Sequence, residues 1–342
     1  AFLNAGDRFI EAKLEKQLDF MLLNRARISI AFSPQKLGDP HFPGALDFPR
    51  SVFEVINNLS SVMMDVALLK QLKSVATEQS LQAAVMTFEP HPREFFTPEK
   101  APARLASLRE KLEKFSGFGI DVVYLCRFNE RFASLSSDAF IQDILIKSLN
   151  AKTVLVGEDF RFGAGRRGGV VDIANAGLNL ISLPQVNLSD VDIKSLGDSE
   201  RVSSTRVRNA LAAGQLSVAK NLLGRPYSIS GKVIHGAQLG RKLGFPTANV
   251  HMRHERPALT GVYAVKLDGL NGVANLGVRP TIAGVPKLLL EVHLFDFDGD
   301  LYDKHVHVEF FHKIRDEMKF DGLDALKAQI AKDAQVARHF FK

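Results

Sequence analysis

One segment gathers residue types that suit a phosphorylated ligand together with a metal. It reads Gly231-Lys-Val-Ile-His-Gly-Ala-Gln-Leu-Gly-Arg-Lys-Leu-Gly-Phe-Pro-Thr-Ala-Asn249 and contains four glycines. Glycines let a backbone turn tightly and approach a ligand, and closely spaced N–H groups bind phosphate oxygens. The Thr247 hydroxyl and the Asn249 carbonyl are hard oxygen ligands of the kind that Mg²⁺ prefers. The segment therefore predicts a nucleotide and metal site, although a Gly-rich hairpin taken alone is more often a plain turn.

A second candidate is Ser203-Ser-Thr-Arg-Val-Arg208, where hydroxyl and guanidinium groups stand at the start of a helical pattern. Such a start can hold phosphate through N–H groups, the helix dipole and positive charge together. A plain helix cap explains the same residues, and the two roles are compatible. The stretch 163–169 is open to two interpretations, a flexible basic loop or a loop that touches RNA.

Composition and charge narrow the class of protein. Hydrophobic residues make up 46% and charged residues 24% of the 342 residues, which is ordinary for globular domains and leaves room for two of them. The net charge of +6 suits nucleic acid and phosphorylated small molecules equally. No Gly-x-x-x-x-Gly-Lys-Ser/Thr sequence occurs, so an ordinary P-loop ATPase is disfavoured.

The cysteine content and the length of the apolar runs predict the cellular compartment of the protein. The single cysteine, Cys126, excludes a disulfide or a cysteine metal cluster within the chain, and it fits a reducing cytoplasm. No apolar run approaches the ~18 residues of a membrane span. We therefore expect a cytoplasmic monomer or weak homo-oligomer without nucleic-acid or membrane partners.

The first half of the chain is predicted to form a parallel sheet with helical crossovers. Apolar runs at 83–88, 122–126, 153–156 and 178–183 read as strands. Helical spacing occurs between them, at Leu105, Leu108, Leu112 and Phe115 and again from Phe140 to Leu145. A further helical segment is predicted from Ser203 to Leu223.

Beyond Gly224 the pattern changes to short, turn-bounded strands, which predicts an antiparallel barrel or sandwich. Strands are expected at 227–233, 261–267, 272–276, 288–297 and 305–311. Leu323, Leu326 and Ile330 lie on one face of a final helix, which is expected to cover the barrel. The predicted domains are residues 1–222 and 223–342.

The Gly231–Asn249 segment resembles the signature of the riboflavin kinase family, whose Pro-Thr-Ala-Asn motif is matched by Pro246 to Asn249. The resemblance continues through Asn275-Leu-Gly-Val-Arg-Pro-Thr281, Glu291-Val-His-Leu-Phe-Asp-Phe-Asp-Gly-Asp-Leu-Tyr302 and Lys313-Ile-Arg-Asp-Glu-Met-Lys-Phe320. It implies a Greek-key barrel with a C-terminal helix that phosphorylates riboflavin to FMN. The resemblance implies that ATP and Mg²⁺ or another divalent metal take part and that ADP is released.

The resemblance also implies roles for individual residues of the barrel. Glu291 matches the family's base for the riboflavin hydroxyl, and phosphoryl transfer then depends mainly on positioning and charge neutralisation. Thr247 and Asn249 are the expected catalytic and metal-binding partners. The remaining kinase residues are placed more loosely, with Gly236, Arg241 and Gly244 expected to contact ATP and Arg315 and Phe320 expected to contact the flavin.

Three earlier segments resemble the FMN adenylyltransferase module that precedes riboflavin kinase in bacterial bifunctional FAD synthetases. They are Thr87-Phe-Glu-Pro-His-Pro-Arg-Glu-Phe-Phe96, Val156-Gly-Glu-Asp-Phe-Arg-Phe-Gly-Ala-Gly-Arg-Arg-Gly168 and Ser203 to Arg208. The resemblance implies a Rossmann-like nucleotidyltransferase fold that adenylylates FMN to FAD. The site residues that it implies are Asp159, Arg161, Ser204, Thr205 and Arg208.

Residues 1–66 do not follow this family. Its members begin the module with a Gly-Asn-Phe-Asp stretch and a His-x-Gly-His motif, neither of which occurs here, and His41 is a poor substitute. A helical period is kept at Ile10, Leu14, Leu18, Met21 and Leu22. Two alternatives to a bifunctional enzyme thus remain open, a riboflavin kinase with a degenerate first lobe and a basic nucleic-acid-binding protein.

Overall fold

The computed structural model describes residues 29–32, 51–55, 62–183, 203–236, 239–252, 256–279 and 287–342. The chain forms two compact units, the first mainly Met64–Pro102 with Leu108–Val186 and the second mainly Ala103–Ser107 with Asn187–Lys342. The helical period predicted between Ile10 and Leu22 and the residue His41 lie outside the described residues. The domain boundary between residues 222 and 223 stays a prediction.

The first unit is built on a parallel sheet, as predicted. Among the described residues, six strands form it in the order β1-β4-β3-β2-β5-β8. These strands are β1 (Ser29–Phe32), β2 (Ser51–Val55), β3 (Gln82–Glu89), β4 (Val122–Arg127), β5 (Ala151–Gly157) and β8 (Asn179–Leu183). Two short strands, β6 (Arg161–Phe162) and β7 (Gly168–Gly169), pair with each other in antiparallel fashion.

Helices occupy the described connections of this sheet, and apolar side chains are buried on both of its faces. Alternate residues of β3 enter two separate clusters, with Ala84, Met86 and Phe88 in one and Ala83 and Val85 in the other. Burial on both faces is why the strands read as continuous apolar runs. The helices are Val62–Glu78, Pro92–Phe96, Leu108–Gly117, Glu130–Ala133, Ser137–Ala139 continued by the wider turns of Phe140–Ser148, and Val170–Asn175, with single turns at Pro98–Lys100 and Ala164–Arg166.

The second unit is a closed antiparallel barrel in the order β10-β13-β12-β11-β14-β9, counted over the described ranges. Its strands are β9 (Tyr227–Ile234), β10 (Ala248–His251), β11 (Gly261–Leu267), β12 (Leu270–Arg279), β13 (Lys287–Leu294) and β14 (His305–Arg315). Three consecutive strands, β11 to β13, are neighbours, and β14 returns beside β11. This is Greek-key order.

The structure refines two details of the predicted second half. The helical segment from Ser203 to Leu223 consists of two helices, Ser204–Ala212 and Leu216–Leu223, because Gly214 between them has a φ of 71°. That left-handed conformation ends a helix readily at glycine. Strand β10 was missed, because it is short and lies inside a segment that reads as a loop.

The C-terminal helix, Leu323–Phe340, covers the barrel as expected. Leu323 is 57% exposed, whereas Ala334 and Ala337 are buried against Val262 and Val273 on the outside of the barrel. Steps of three and four residues put Ala334 and Ala337 on the same face as the half-buried Leu326 and Ile330, so the predicted face is used and its most buried contact lies nearer the C-terminal end. A short connecting helix, Leu239–Leu243, precedes β10.

Candidate active sites

A row of polar residues crosses three neighbouring strands of the barrel. Glu291 on β13 is the direct partner of Asn249 on β10 and of Asn275 on β12. Opposed residues on adjacent strands point to the same face, with their Cβ atoms roughly 5 Å apart. Leu290 and Val292, the neighbours of Glu291 in β13, are fully buried, so the row lies on the outer face of the barrel. A carboxylate is thereby placed between two carboxamides.

The Gly-rich segment packs directly on this row. Asn249 is only 6% exposed, and a Cβ added at Gly236 would overlap its carboxamide. Only glycine lets the backbone at position 236 approach Asn249 so closely. The predicted ATP-binding residue Gly236 is thus brought together with the predicted metal ligand Asn249.

Thr247 lies two residues before Asn249, immediately before the start of β10. Its hydroxyl would be 3.2 Å from a Cβ added at Gly240, in the connecting helix. At the end of that helix Gly244, with a φ of 88°, donates its N–H to the Arg241 carbonyl at 3.2 Å. The structure therefore gives Gly244 a role in closing the helix, and its predicted contact with ATP stays a prediction, as does that of the exposed Arg241.

His293 was not singled out from the sequence, yet it joins the strand of Glu291 to the Pro-Thr-Ala-Asn segment. Its Nδ1 lies 2.9 Å from the Pro246 carbonyl oxygen. The rings of Phe245 and Phe295 meet it edge to face, at 5.4 and 5.9 Å between centroids. The available signal was the alternation along β13, which places residues 291 and 293 on the same face.

Arg315, predicted to contact the flavin, is bound to the C-terminal helix. Its Nε and Nη2 atoms donate to the Asp333 carboxylate at distances of 2.7 to 3.1 Å, and Asp333 is 3% exposed. The guanidinium also lies over the Phe320 ring, 5.6 Å from its centroid. Arg315 therefore holds Phe320 and the helix in place. Asp333 is a structural residue that the sequence pattern did not reveal.

The segment that follows Arg315 reaches back over the barrel. The Glu317 carboxylate rests on Gly277, where any Cβ would overlap it. Gly277 lies two residues from Asn275 on the same strand and therefore on the same face. The predicted flavin segment thus ends next to the polar row.

In the first unit, candidate residues follow the carboxyl ends of the parallel strands, the edge at which open α/β sheets bind ligands. His91 follows β3 and caps the helix Pro92–Phe96, because its Nδ1 accepts from the Arg93 N–H at 3.1 Å and its own N–H donates to Glu94 at 3.1 Å. Asp159 follows β5, in an exposed turn closed by the Phe160 N–H on the Gly157 carbonyl.

A cluster of phenylalanines lies beside the same edge and was also missed. Phe95 and Phe96 meet Phe128, which follows β4, with ring centroids 5.5 and 5.6 Å apart, and Phe88 meets it at 5.8 Å. Phe96 is 62% exposed. Exposed aromatic rings next to a ligand-binding edge offer an apolar surface on which a flat ring can stack.

The comparisons with known proteins match both parts of the chain to known families. Family models described as riboflavin kinase and FAD synthetase match residues 223–341 and 66–206, respectively. The bifunctional riboflavin kinase/FMN adenylyltransferase of Escherichia coli (strain K12) is 47% identical over 280 residues, which are 80% of this chain and 88% of that protein. The chain belongs to this family.

Other similarities point the same way. The family member from Haemophilus influenzae is 44% identical over 278 residues, covering 80% of this chain and 88% of that protein. A crystal structure described as a macrolide-efflux protein from Streptococcus pneumoniae shares the fold with a TM-score of 0.70, at 28% identity, over 91% of this chain and 98% of that one. Among the helices described here, none has the length and hydropathy that crossing a bilayer demands.

As a member of the family, the chain is an enzyme with riboflavin kinase and FMN adenylyltransferase activities, and its two modules stand in the expected order. Two of the predicted adenylyltransferase residues lie in the first unit. They are Asp159 and the exposed Arg161, whose Nη1 donates to the Phe160 carbonyl at 2.9 Å and lies beside Gly169.

The other three predicted adenylyltransferase residues lie in the second unit, on the helix Ser204–Ala212. Ser203 caps this helix, because its hydroxyl accepts from the Arg206 N–H at 3.3 Å. Ser204 and Thr205 form the first turn, and the Arg208 Nε donates to the Ala103 carbonyl at 2.6 Å. The helix start predicted at Ser203 to Arg208 is confirmed.

Proposed function

We propose that Glu291 is the general base of the kinase and that the outer face of β10, β12 and β13 is its reaction surface. The observation that carries this proposal is the direct opposition of Glu291 to Asn249, on which Gly236 packs. As the riboflavin hydroxyl oxygen attacks the γ-phosphorus of ATP, its proton passes to the Glu291 carboxylate. The bond from the γ-phosphorus to the bridging oxygen breaks, and ADP leaves with that oxygen.

Thr247 and Asn249 fit a divalent metal, with Mg²⁺ as the expected ion. Both side chains carry hard oxygen donors, they lie two residues apart, and Asn249 is held in a buried place beside the Gly236 backbone. When bound there, such an ion supplies charge neutralisation on the transferring phosphates. The protein's own part is to hold the two oxygens at a fixed distance from the Glu291 strand.

The substrates are proposed to approach from two sides of the polar row. ATP lies along Gly236, Arg241 and Gly244, where the Gly236 backbone and the Arg241 guanidinium suit phosphate groups. Riboflavin lies towards Phe320, whose ring is held by Arg315. Because the Arg315 guanidinium is already bound to Asp333, its contribution to flavin binding is to fix this ring rather than to meet the flavin with an unpaired charge.

For the adenylyltransferase we propose that Asp159, Arg161, Ser204, Thr205 and Arg208 serve ATP and the phosphate of FMN. Arginine and a helix start are suited to phosphate groups. The phenylalanine cluster around Phe128 is proposed to stack on the flat ring system of FMN, because its rings combine exposure with mutual support.

We further propose a cytoplasmic monomer or weak homo-oligomer, with the domain boundary at residues 222 and 223. Cys126 is fully buried, and burial raises the pKa of its thiol, so it does not call for an oxidising compartment. The FAD synthetase match ends at residue 206 and the riboflavin kinase match begins at residue 223, which supports the boundary. Sedimentation at several protein concentrations would give the oligomeric state.

Incubating the purified chain with riboflavin, ATP and Mg²⁺ and separating the flavins over time tests the proposal. We expect FMN first and FAD later. Formation of FMN without FAD would support the proposed kinase site at Glu291 and contradict the proposed roles of the adenylyltransferase residues. Absence of FMN would contradict the proposed kinase site.

A further inference from the structure

His293 connects two parts of the kinase that the proposed mechanism needs at a fixed separation. It lies two residues after Glu291 on β13, on the same outer face. Its Nδ1 is 2.9 Å from the carbonyl oxygen of Pro246, which is a good hydrogen-bond distance. A side chain on the strand of the base is thus bound to the backbone beside Thr247.

The direction of this hydrogen bond follows from the chemistry of its two atoms. A carbonyl oxygen can only accept, so the His293 Nδ1 must carry the hydrogen. The imidazole plane is held by edge-to-face contacts with Phe245 and Phe295, whose rings make angles of 84° and 73° with it. The donor is therefore aimed by packing as well as by the bond itself.

The accepting carbonyl belongs to the peptide that joins Pro246 to Thr247, so holding it fixes where the Thr247 hydroxyl stands. The anchor extends backwards, because the Phe245 N–H donates to the Gly240 carbonyl at 2.8 Å. Through these two bonds the connecting helix and the start of β10 are tied to β13. These contacts hold the distance between Glu291 and Thr247 constant.

We propose that His293 is a positioning residue for phosphoryl transfer, setting the Pro246–Thr247 peptide against the strand of Glu291. The inference rests on the proposed roles of Thr247 and Glu291. Phosphoryl transfer depends on alignment, and a misplacement of about 1 Å can lower a rate by ~10²-fold. His293 itself need not contact a substrate.

Three variants separate the donor from the ring. His293→Asn keeps an N–H donor close to the position of Nδ1. His293→Asp has nearly the same shape as His293→Asn but carries an acceptor in place of that donor. His293→Phe keeps a flat ring without a donor. We expect His293→Asp and His293→Phe to lower kinase kcat by about tenfold to 10²-fold. His293→Asn should stay within about fivefold of the unsubstituted enzyme, the range of one altered hydrogen bond. FAD formation from supplied FMN is the internal reference in every variant.

The comparison of asparagine with aspartate decides the matter even if the phenylalanine variant does not fold. Equal losses of kcat in the His293→Asn and His293→Asp variants would show that the N–H donor is irrelevant. An unchanged kcat in the His293→Asp variant would show that His293 has no part in the reaction. A pronounced loss in aspartate with recovery in asparagine would support the positioning role.

A double-variant cycle with Thr247→Ala keeps this inference distinct from the proposed function. If His293 acts through Thr247, the combined variant should lose less than the product of the two single losses. Strictly multiplicative losses would overturn the positioning role while leaving Thr247 in the site. Normal kinase kinetics of Thr247→Ala would instead refute the proposed role of Thr247, and with it the premise of the inference.

Discussion

Glu291 on β13 stands directly opposite Asn249 on β10, although the two residues come from motifs that are far apart in the sequence. The barrel register places them side by side, and Asn275 extends the row on the other side of Glu291. The proposed base, a carboxamide that suits a metal and the Gly-rich segment therefore share one surface.

Glu291→Gln should abolish most of the kinase activity while keeping the fold. A general base contributes ~10²-fold to 10⁴-fold to a rate, so we expect kcat for FMN formation to fall by that amount at saturating substrates. Glu309→Gln is the matched control, since Glu309 is another strand glutamate, opposed to Lys266 on β11. Full turnover in the Glu291 variant would exclude it as the base.

Asn249→Ala should raise the Mg²⁺ and ATP concentrations needed for half-maximal kinase activity. The variant removes one hard oxygen ligand without touching Glu291. Titrating Mg²⁺ at fixed ATP measures the effect, with Asn271→Ala on β12 as a control. Identical Mg²⁺ curves for Asn249→Ala and the unsubstituted enzyme would show that its oxygen binds no metal.

Gly236→Ala should impair the kinase through sterics alone. Its methyl group would overlap the Asn249 carboxamide, so either the Gly-rich segment or Asn249 must move. We expect a higher KM for ATP and a lower kcat, with FAD formation from FMN unchanged. Gly322→Ala is the control, because a Cβ there meets open space. Unchanged kinase kinetics in the Gly236→Ala variant would contradict the close packing of Gly236 on Asn249.

Asp333→Ala should destabilise the barrel unit by about 3 kcal/mol, because it leaves the largely buried Arg315 guanidinium without its carboxylate. Denaturant unfolding measures the change. The matched control is Asp296→Ala, which breaks the exposed pair with Arg338 on the same helix and should cost little. Equal stability losses in the two variants would mean that burial of the Arg315 pair is unimportant.

Phe96→Ser should weaken FMN binding by the adenylyltransferase without affecting the kinase. Loss of one stacking ring is expected to raise the KM for FMN by about fivefold or more. Val171→Ser, at another exposed apolar residue of the same unit, serves as the control. An unchanged KM would place the flavin ring away from this cluster.

Most strands could be predicted because their apolar side chains repeat along the sequence. The parallel strands are buried on both faces, and the barrel strands alternate, so both kinds leave a local pattern. β10 left none, since it is short and its buried Asn249 is polar. The C-terminal end of the buried helix face was not named, because Ala334 and Ala337, which make the contact, give a weak apolar signal.

The candidate site was predictable in its residue types and not in its contacts. Glu291 and Asn249 could be named from their motifs, but the register that pairs them depends on the whole barrel. His293, Asp333 and Phe128 were missed for the same reason, because their partners Pro246, Arg315 and the rings around Phe128 are distant in the chain or lie beyond a turn. Local periodicity carries no information about such partners.

The order of synthesis gives the barrel a further property. β9, the first of its strands to be made, pairs along its length with β14, the last, from Tyr227 opposite Phe310 to Lys232 opposite His305. During translation the edges of β9 and β11 wait unpaired until β14 emerges from the ribosome. Unpaired strand edges are templates for aggregation. A chain whose translation stops before His305 would therefore be prone to aggregate and would be a target for chaperones and proteases.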